Sequence, residues 1–89
     1  MLSPVYTNQF AKDVKLSTKR GKDLHKLKDI INVLIGEGRL PEKNRDHKLV
    51  GNFAQCRECH IEPDWLLIYK IHGQEIFFVR TGTHSDLFD

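Results

Sequence analysis

The chain has 89 residues, 39% hydrophobic and 29% charged, a balance that fills one globular core and leaves too little chain for a second. No apolar run approaches the roughly 20 residues that cross a bilayer, and residues 1–6 lack the basic-then-apolar layout of a secretion signal. One cytoplasmic domain over residues 1–89, with no membrane partner, is therefore expected.

The net charge of +2 hides an asymmetry. Residues 10–45 hold ten Lys/Arg against five acids, and residues 46–89 hold four against seven. Residues 5–9 suit a short strand, which Pro4 confines to an edge or a start position. Thr7 or Asn8 can cap a first helix, with Phe10 and Val14 four apart on one face. Gly21 breaks it. Leu24, Leu27, Ile30, Ile31, Leu34 and Ile35 then follow the spacing of one buried helical stripe, and Gly36, Gly38 and Pro41 end it. Lys12, Lys15, Lys19, Lys22, Lys26 and Lys28 fall on these two helices. A basic face suits a nucleic-acid backbone, since lysines release condensed counterions on binding; a solvated helix surface accounts for the same charges.

From residue 46 the period changes from helical to alternating. Residues 47–50 and 56–61 read as short strands, separated by a turn at Gly51-Asn52. Residues 65–71 are apolar almost throughout, as in a central strand buried on both faces. His72-Gly73-Gln74 forms a hairpin turn into a last strand over residues 75–80. Residues 81–88 form a loop with at most one turn of helix. The expected fold is α+β: two antiparallel helices packed on a mainly antiparallel, twisted sheet of four to five strands.

Three of the five histidines, His47, His60 and His84, fall near turns or strand ends of the sheet half. Pro63 fixes the turn that aims the Asp64 carboxylate. Imidazoles titrate near neutrality and are the usual movers of protons there. His25, on the basic helix, and His72, in the hairpin turn, are assigned no role. Cys56-Arg57-Glu58-Cys59-His60 has the spacing of a c-type haem attachment, but it lies in a predicted strand. Residues three apart in a strand point to opposite faces, with backbones about 10 Å apart. That geometry defeats a haem clamp, a disulfide or a zinc ligand pair, so neither metal nor cofactor is expected. Cys59 should face the core beside Ile61, and Cys56, Glu58 and His60 the other side.

The segments His47-Lys48-Leu49-Val50-Gly51, Arg57 to Tyr69 with its H-x-x-P-D-W pattern, and Arg80-Thr81-Gly82-Thr83-His84-Ser85-Asp86-Leu87-Phe88 resemble the YafQ branch of the RelE/ParE toxin superfamily. The resemblance is specific over residues 46–88 and generic in the helices. It implies a RelE-like fold and a cytoplasmic endoribonuclease that cleaves mRNA in the ribosomal A site and is neutralised by a cognate antitoxin. By motif, His47, His60, Asp64 and His84 match the family's acid–base set. Arg80 matches a basic residue on the last strand, and Phe88 an aromatic that helps place RNA or the proton-transfer groups. The position of Cys56, often aromatic in relatives, departs from the pattern.

RNA carries its own nucleophile in the 2′-hydroxyl, so backbone cleavage needs a base, an acid and a cation but no metal. His60 with Asp64 is expected on the base side and His84 on the acid side, with Arg80 and His47 at the phosphate. The lysines would grip ribosomal RNA. Two other readings stand beside this one: a ParE-like toxin that binds DNA gyrase without catalysis, and a non-catalytic RNA- or ribosome-binding module.

Overall fold

The computed structural model describes residues 1–88. Strand β1 (Ser3–Tyr6) leads into helix α1 (Asn8–Lys19), then α2 (Leu24–Ile35), β2 (His47–Lys48), β3 (Arg57–Glu62), β4 (Trp65–His72), β5 (Glu75–Gly82) and a short α3 (His84–Phe88). Two 3₁₀ turns, Glu42–Asn44 and Gly51–Phe53, flank β2.

The sheet runs in the order β1-β5-β4-β3-β2. Its strands pair antiparallel except for β1, which lies parallel to β5 with Ser3 opposite Glu75 and Tyr6 opposite Phe78. The expected α+β class and strand number are met. The first strand sits earlier than residues 5–9, because Thr7 leaves it to become the N-cap of α1, its Oγ1 accepting from Phe10 N at 3.0 Å. Pro4 is tolerated there because β1 is an edge. Strand β2 is two residues long rather than four, since Gly51, at φ +74°, turns the chain immediately afterwards.

The two faces of the sheet are covered differently. Phe10 of α1 and the stripe Leu27, Ile30, Ile31 and Leu34 of α2 pack on Cys59, Trp65, Leu67, Tyr69, Ile76 and Phe78. On the opposite face a smaller cluster, Cys56, Leu66, Ile68 and Leu87, is only partly roofed by α3 and by Phe53. That thinly covered face is where the chemistry-bearing side chains collect. Strand β4 is central, and its Leu66, Leu67 and Ile68 are fully buried, as its unbroken apolar run predicts.

Two β-bulges shape this arrangement. Between His60 and Glu62 the β3 strand carries an extra residue, Ile61, which keeps the helical side it shares with Cys59, while Glu62 is turned to that same side, toward Lys22 and Lys26. Between Phe78 and Arg80 the extra residue is Val79, which puts Arg80 in register with Ile68 of the open face. Bulges re-aim side chains without ending a sheet.

Candidate active site

On β3, alternation sends Cys59 into the helical core and Glu58 and His60 to the open face. Register places His47 of β2 opposite Glu58 and Leu66 of β4 opposite His60. The imidazoles of His47 and His60 lie 6.4 Å apart between ring centres, and those of His60 and His84 lie 5.8 Å apart, edge to face. The three rings form a row. His47 and His84 are exposed, whereas the His60 side chain keeps only 13% of its surface.

Each member of the row is oriented by a different group. His47 Nδ1 is 2.6 Å from the Arg45 carbonyl oxygen, which can only accept, so Nδ1 carries the proton. Arg45 reaches that position through a left-handed backbone, φ +48°, at the end of the Glu42–Asn44 turn. The His60 carbonyl accepts from the buried Asn44 side chain at 2.7 Å, which ties the same turn to β3. Glu58, 5% exposed, lies beneath the row with Oε1 at 3.4 Å from His47 Nε2 and 3.5 Å from His60 Nε2. A buried carboxylate needs compensating partners, and here these are two ring nitrogens.

His84 opens α3. Its Nδ1 is 2.6 Å from Asp64 Oδ1, and its backbone N–H donates to the same oxygen at 2.9 Å. These two hydrogen bonds, the backbone one first, hold the Asp64 carboxyl below its ordinary range. Asp64 is expected to work with His60; the structure seats it on His84 instead, because β5 ends at Gly82 and α3 begins at His84, whose backbone and ring both meet Asp64 after the Pro63 turn. The helix is fixed by a capping pair: Thr83 N donates to Asp86 Oδ2 at 2.9 Å, and Asp86 N donates to Thr83 Oγ1 at 3.1 Å. Arg20, just after α1, adds a two-pronged contact to Asp86 at 2.6 and 3.2 Å. That side-chain bond is the main reason the Asp86 carboxyl lies far below the usual carboxylate range.

Phe88 is half-exposed and meets Phe53 edge-on, ring centres 5.8 Å apart. Arg80 faces the site by register, but Asp13 of α1 holds its guanidinium, from Nε at 2.7 Å and Nη2 at 3.2 Å. A hollow of about 880 Å³ opens beside His60 and His84, with Lys43, Asn44 and Arg45 along its wall.

Of the six lysines expected on the helices, Lys22 lies instead in the turn between α1 and α2, and the set divides into two groups. Lys12, Lys15, Lys19 and Lys28 are exposed. Lys22 and Lys26 both bind Glu62 at 2.9 Å, and Lys22 also lies 5.7 Å from the centre of the Trp65 ring, so these two clamp helix to sheet. His25 and His72 are exposed on α2 and at the β4–β5 turn, outside the row. Cys56 and Cys59 occupy opposite clusters, as strand alternation predicts, and burial pushes the Cys59 thiol up to about 12. Glu58 and Asp13 contact the candidate residues His47, His60 and Arg80, and no motif in the sequence singles either of them out. The signal for Glu58 is its place on the His60 face of β3. The signal for Asp13 is its place three residues after Phe10, on the buried stripe of α1.

Residues 2–89 match the family model described as the bacterial toxin of the type II toxin–antitoxin system, YafQ. The mRNA interferase toxin YafQ of Escherichia coli K12 is 48% identical over 84 residues, covering 93% of this chain and 91% of that protein. The crystal structure of the E. coli DinJ–YafQ complex contains a chain that superposes with a TM-score of 0.93 at 44% identity, all of both chains being covered. The structure of YafQ from E. coli BL21(DE3) superposes with a TM-score of 0.95 at 43% identity, again over the whole of both. The superpositions, the sequence identity and the family model agree: this chain belongs to the YafQ family of type II toxin–antitoxin toxins.

Proposed function

We propose that this chain is an endoribonuclease toxin that cleaves mRNA in the ribosomal A site and is held in check by a protein antitoxin. The similar E. coli protein is named an mRNA interferase, and a solved structure pairs YafQ with DinJ. The observation that carries the chemistry is the row of three imidazoles on an open sheet face, with carboxylates set against its members. A gyrase-binding toxin or a passive RNA-binding module has no use for that arrangement.

The reaction needs no outside nucleophile. The 2′-oxygen bonds to the adjacent phosphorus as the bond from phosphorus to the 5′-oxygen breaks, leaving a 2′,3′-cyclic phosphate. His60, over Glu58, takes the 2′ proton, and His84 gives a proton to the departing 5′-oxygen. Asp64 fixes His84 Nδ1 as the protonated nitrogen and leaves Nε2 for the substrate. His47 and Arg80 steady the charge that builds on the phosphoryl oxygens, and Phe88 offers a ring face on which a base can stack. The exposed lysines Lys12, Lys15, Lys19 and Lys28 meet ribosomal RNA phosphates, with Lys22 and Lys26 contributing while they hold Glu62. The site lies in the cytoplasm, where messages are translated.

The test is to induce the chain in bacteria and map the 5′ ends of broken messages, beside a His84→Ala control. Cuts in register with codons are expected, and the control should cleave about 10²–10⁴-fold more slowly. Full cleavage by His84→Ala, or intact RNA together with blocked gyrase supercoiling, refutes the proposal.

A further inference from the structure

Asp13 is a carboxylate with 6% of its surface exposed, on the face of α1 that packs against β5. It lies beside the stretch of β5 left open where β1 stops at the pair Tyr6–Phe78. Its Oδ2 accepts from Arg80 Nε at 2.7 Å and from Thr81 N at 3.1 Å, and its Oδ1 accepts from Arg80 Nη2 at 3.2 Å and from Gln9 Nε2 at 3.1 Å. Both oxygens are thus fully used, and the carboxylate cannot turn.

The consequence falls on Arg80. A guanidinium has five N–H donors in one rigid plane. Asp13 takes the side formed by Nε and one Nη2 hydrogen, which leaves both hydrogens of Nη1 and one of Nη2. Of those three, one on Nη1 and one on Nη2 form the outer edge of the plane, facing away from Asp13. That edge has the fork spacing that grips two oxygens of one phosphate. The Val79 bulge meanwhile puts Arg80 on the side of the sheet that carries Glu58 and His60. The arginine side chain retains 25% of its surface, so the outer edge is reachable.

We infer that Asp13 is a positioning residue for cleavage: it locks the Arg80 guanidinium so that its free edge is already aimed at the scissile phosphate before RNA arrives. This rests on the reading that Arg80 steadies the phosphate. Such a dipole, fixed in advance, costs no reorientation as charge builds in the transition state. Thr81 N–H is satisfied by the same carboxylate, so Asp13 couples the edge of β5 to the orientation of its neighbour.

The experiment measures the maximal cleavage rate and half-saturating concentration for Asp13→Asn, Arg80→Ala and the double variant on programmed ribosomes, with melting curves for each. Asp13→Asn should lower the maximal rate about 10- to 100-fold, the cost of a misplaced reacting group, with little change in half-saturation. The double variant should cleave no more slowly than Arg80→Ala alone, because without the guanidinium there is nothing left to aim. If Asp13→Asn does not fold, Asp13→Glu keeps the charge one methylene further out, and the same comparison is made with it. An unchanged maximal rate, or an equal loss in the presence and absence of Arg80, overturns the inference and leaves Asp13 a structural residue. Full activity of Arg80→Ala would instead remove the reading on which the inference rests, and the inference with it.

Discussion

At the scale of single residues, the site is a set of histidines whose roles are decided by what holds the far side of each ring. His47 leans on a carbonyl, His84 on Asp64, and His60 stands above the buried Glu58. Glu58→Gln removes the charge with almost no change in shape. It should reduce cleavage by up to about 10²-fold while RNA binding holds, and a melting curve would show whether the fold survives. A variant that cuts as fast as the wild type would reduce Glu58 to a filler of the open face. The histidines themselves were legible in the sequence, because their motifs have fixed spacing. Their partners were less so. Asp64 lies four residues from His60 in the chain yet pairs with a ring twenty residues away, and no periodicity reports a contact made between two turns.

At the scale of elements, the helices and strands follow the hydrophobic period closely. The α2 stripe is buried where its spacing puts it, and β4 is central as its apolar run requires. What the pattern could not give is where the period slips. The extra residues Ile61 and Val79 turn Glu62 and Arg80 to faces that simple alternation denies them. Helix α3 depends on a similar local detail. An added Cβ on Gly82 would meet Asp86 Oδ2 at 2.9 Å and its Cβ at 3.0 Å. Gly82→Ala must therefore push Asp86 away from Thr83 and Arg20. Loss of the capping pair should cost about 1 kcal/mol, or about 4–8 °C in melting temperature for a domain of this size. Cleavage should suffer more than stability, since the displaced helix carries His84. Wild-type melting together with wild-type cleavage would show that α3 holds its place without Asp86.

At the scale of the molecule, Asp86, Glu62 and Asp64 each tie together segments that are far apart in the chain. Asp86 takes Arg20 at the end of α1, Glu62 takes Lys22 and Lys26, and Asp64 takes His84. All three have carboxyl groups held below their ordinary range, chiefly by these hydrogen bonds. A folded-state pKa below the unfolded value of about 4 means that the stabilisation is complete above that value. It fades as pH falls through the depressed folded values. Denaturant midpoints should thus be flat from neutrality to about pH 5 and fall below it, with a shallower fall in Asp86→Asn. The pairs are partly exposed, so each contributes modestly, and added salt should weaken them together. A midpoint that does not change with acid would mean that the pairs contribute nothing net.

The parallel pairing of β1 with β5 also governs the order in which a nascent chain becomes complete. Ser3 through Tyr6 leave the ribosome before every other strand of this sheet, yet among the described residues they pair with Glu75 through Phe78, made some seventy residues later. Contacts so distant along the chain form slowly, because the intervening loop must close before they are rewarded. The helical pair is thus synthesised long before the floor that Ile76 and Phe78 provide for it. A partial chain has neither that floor nor the strand that carries Arg80, so the nuclease cannot be assembled piecemeal during its own translation.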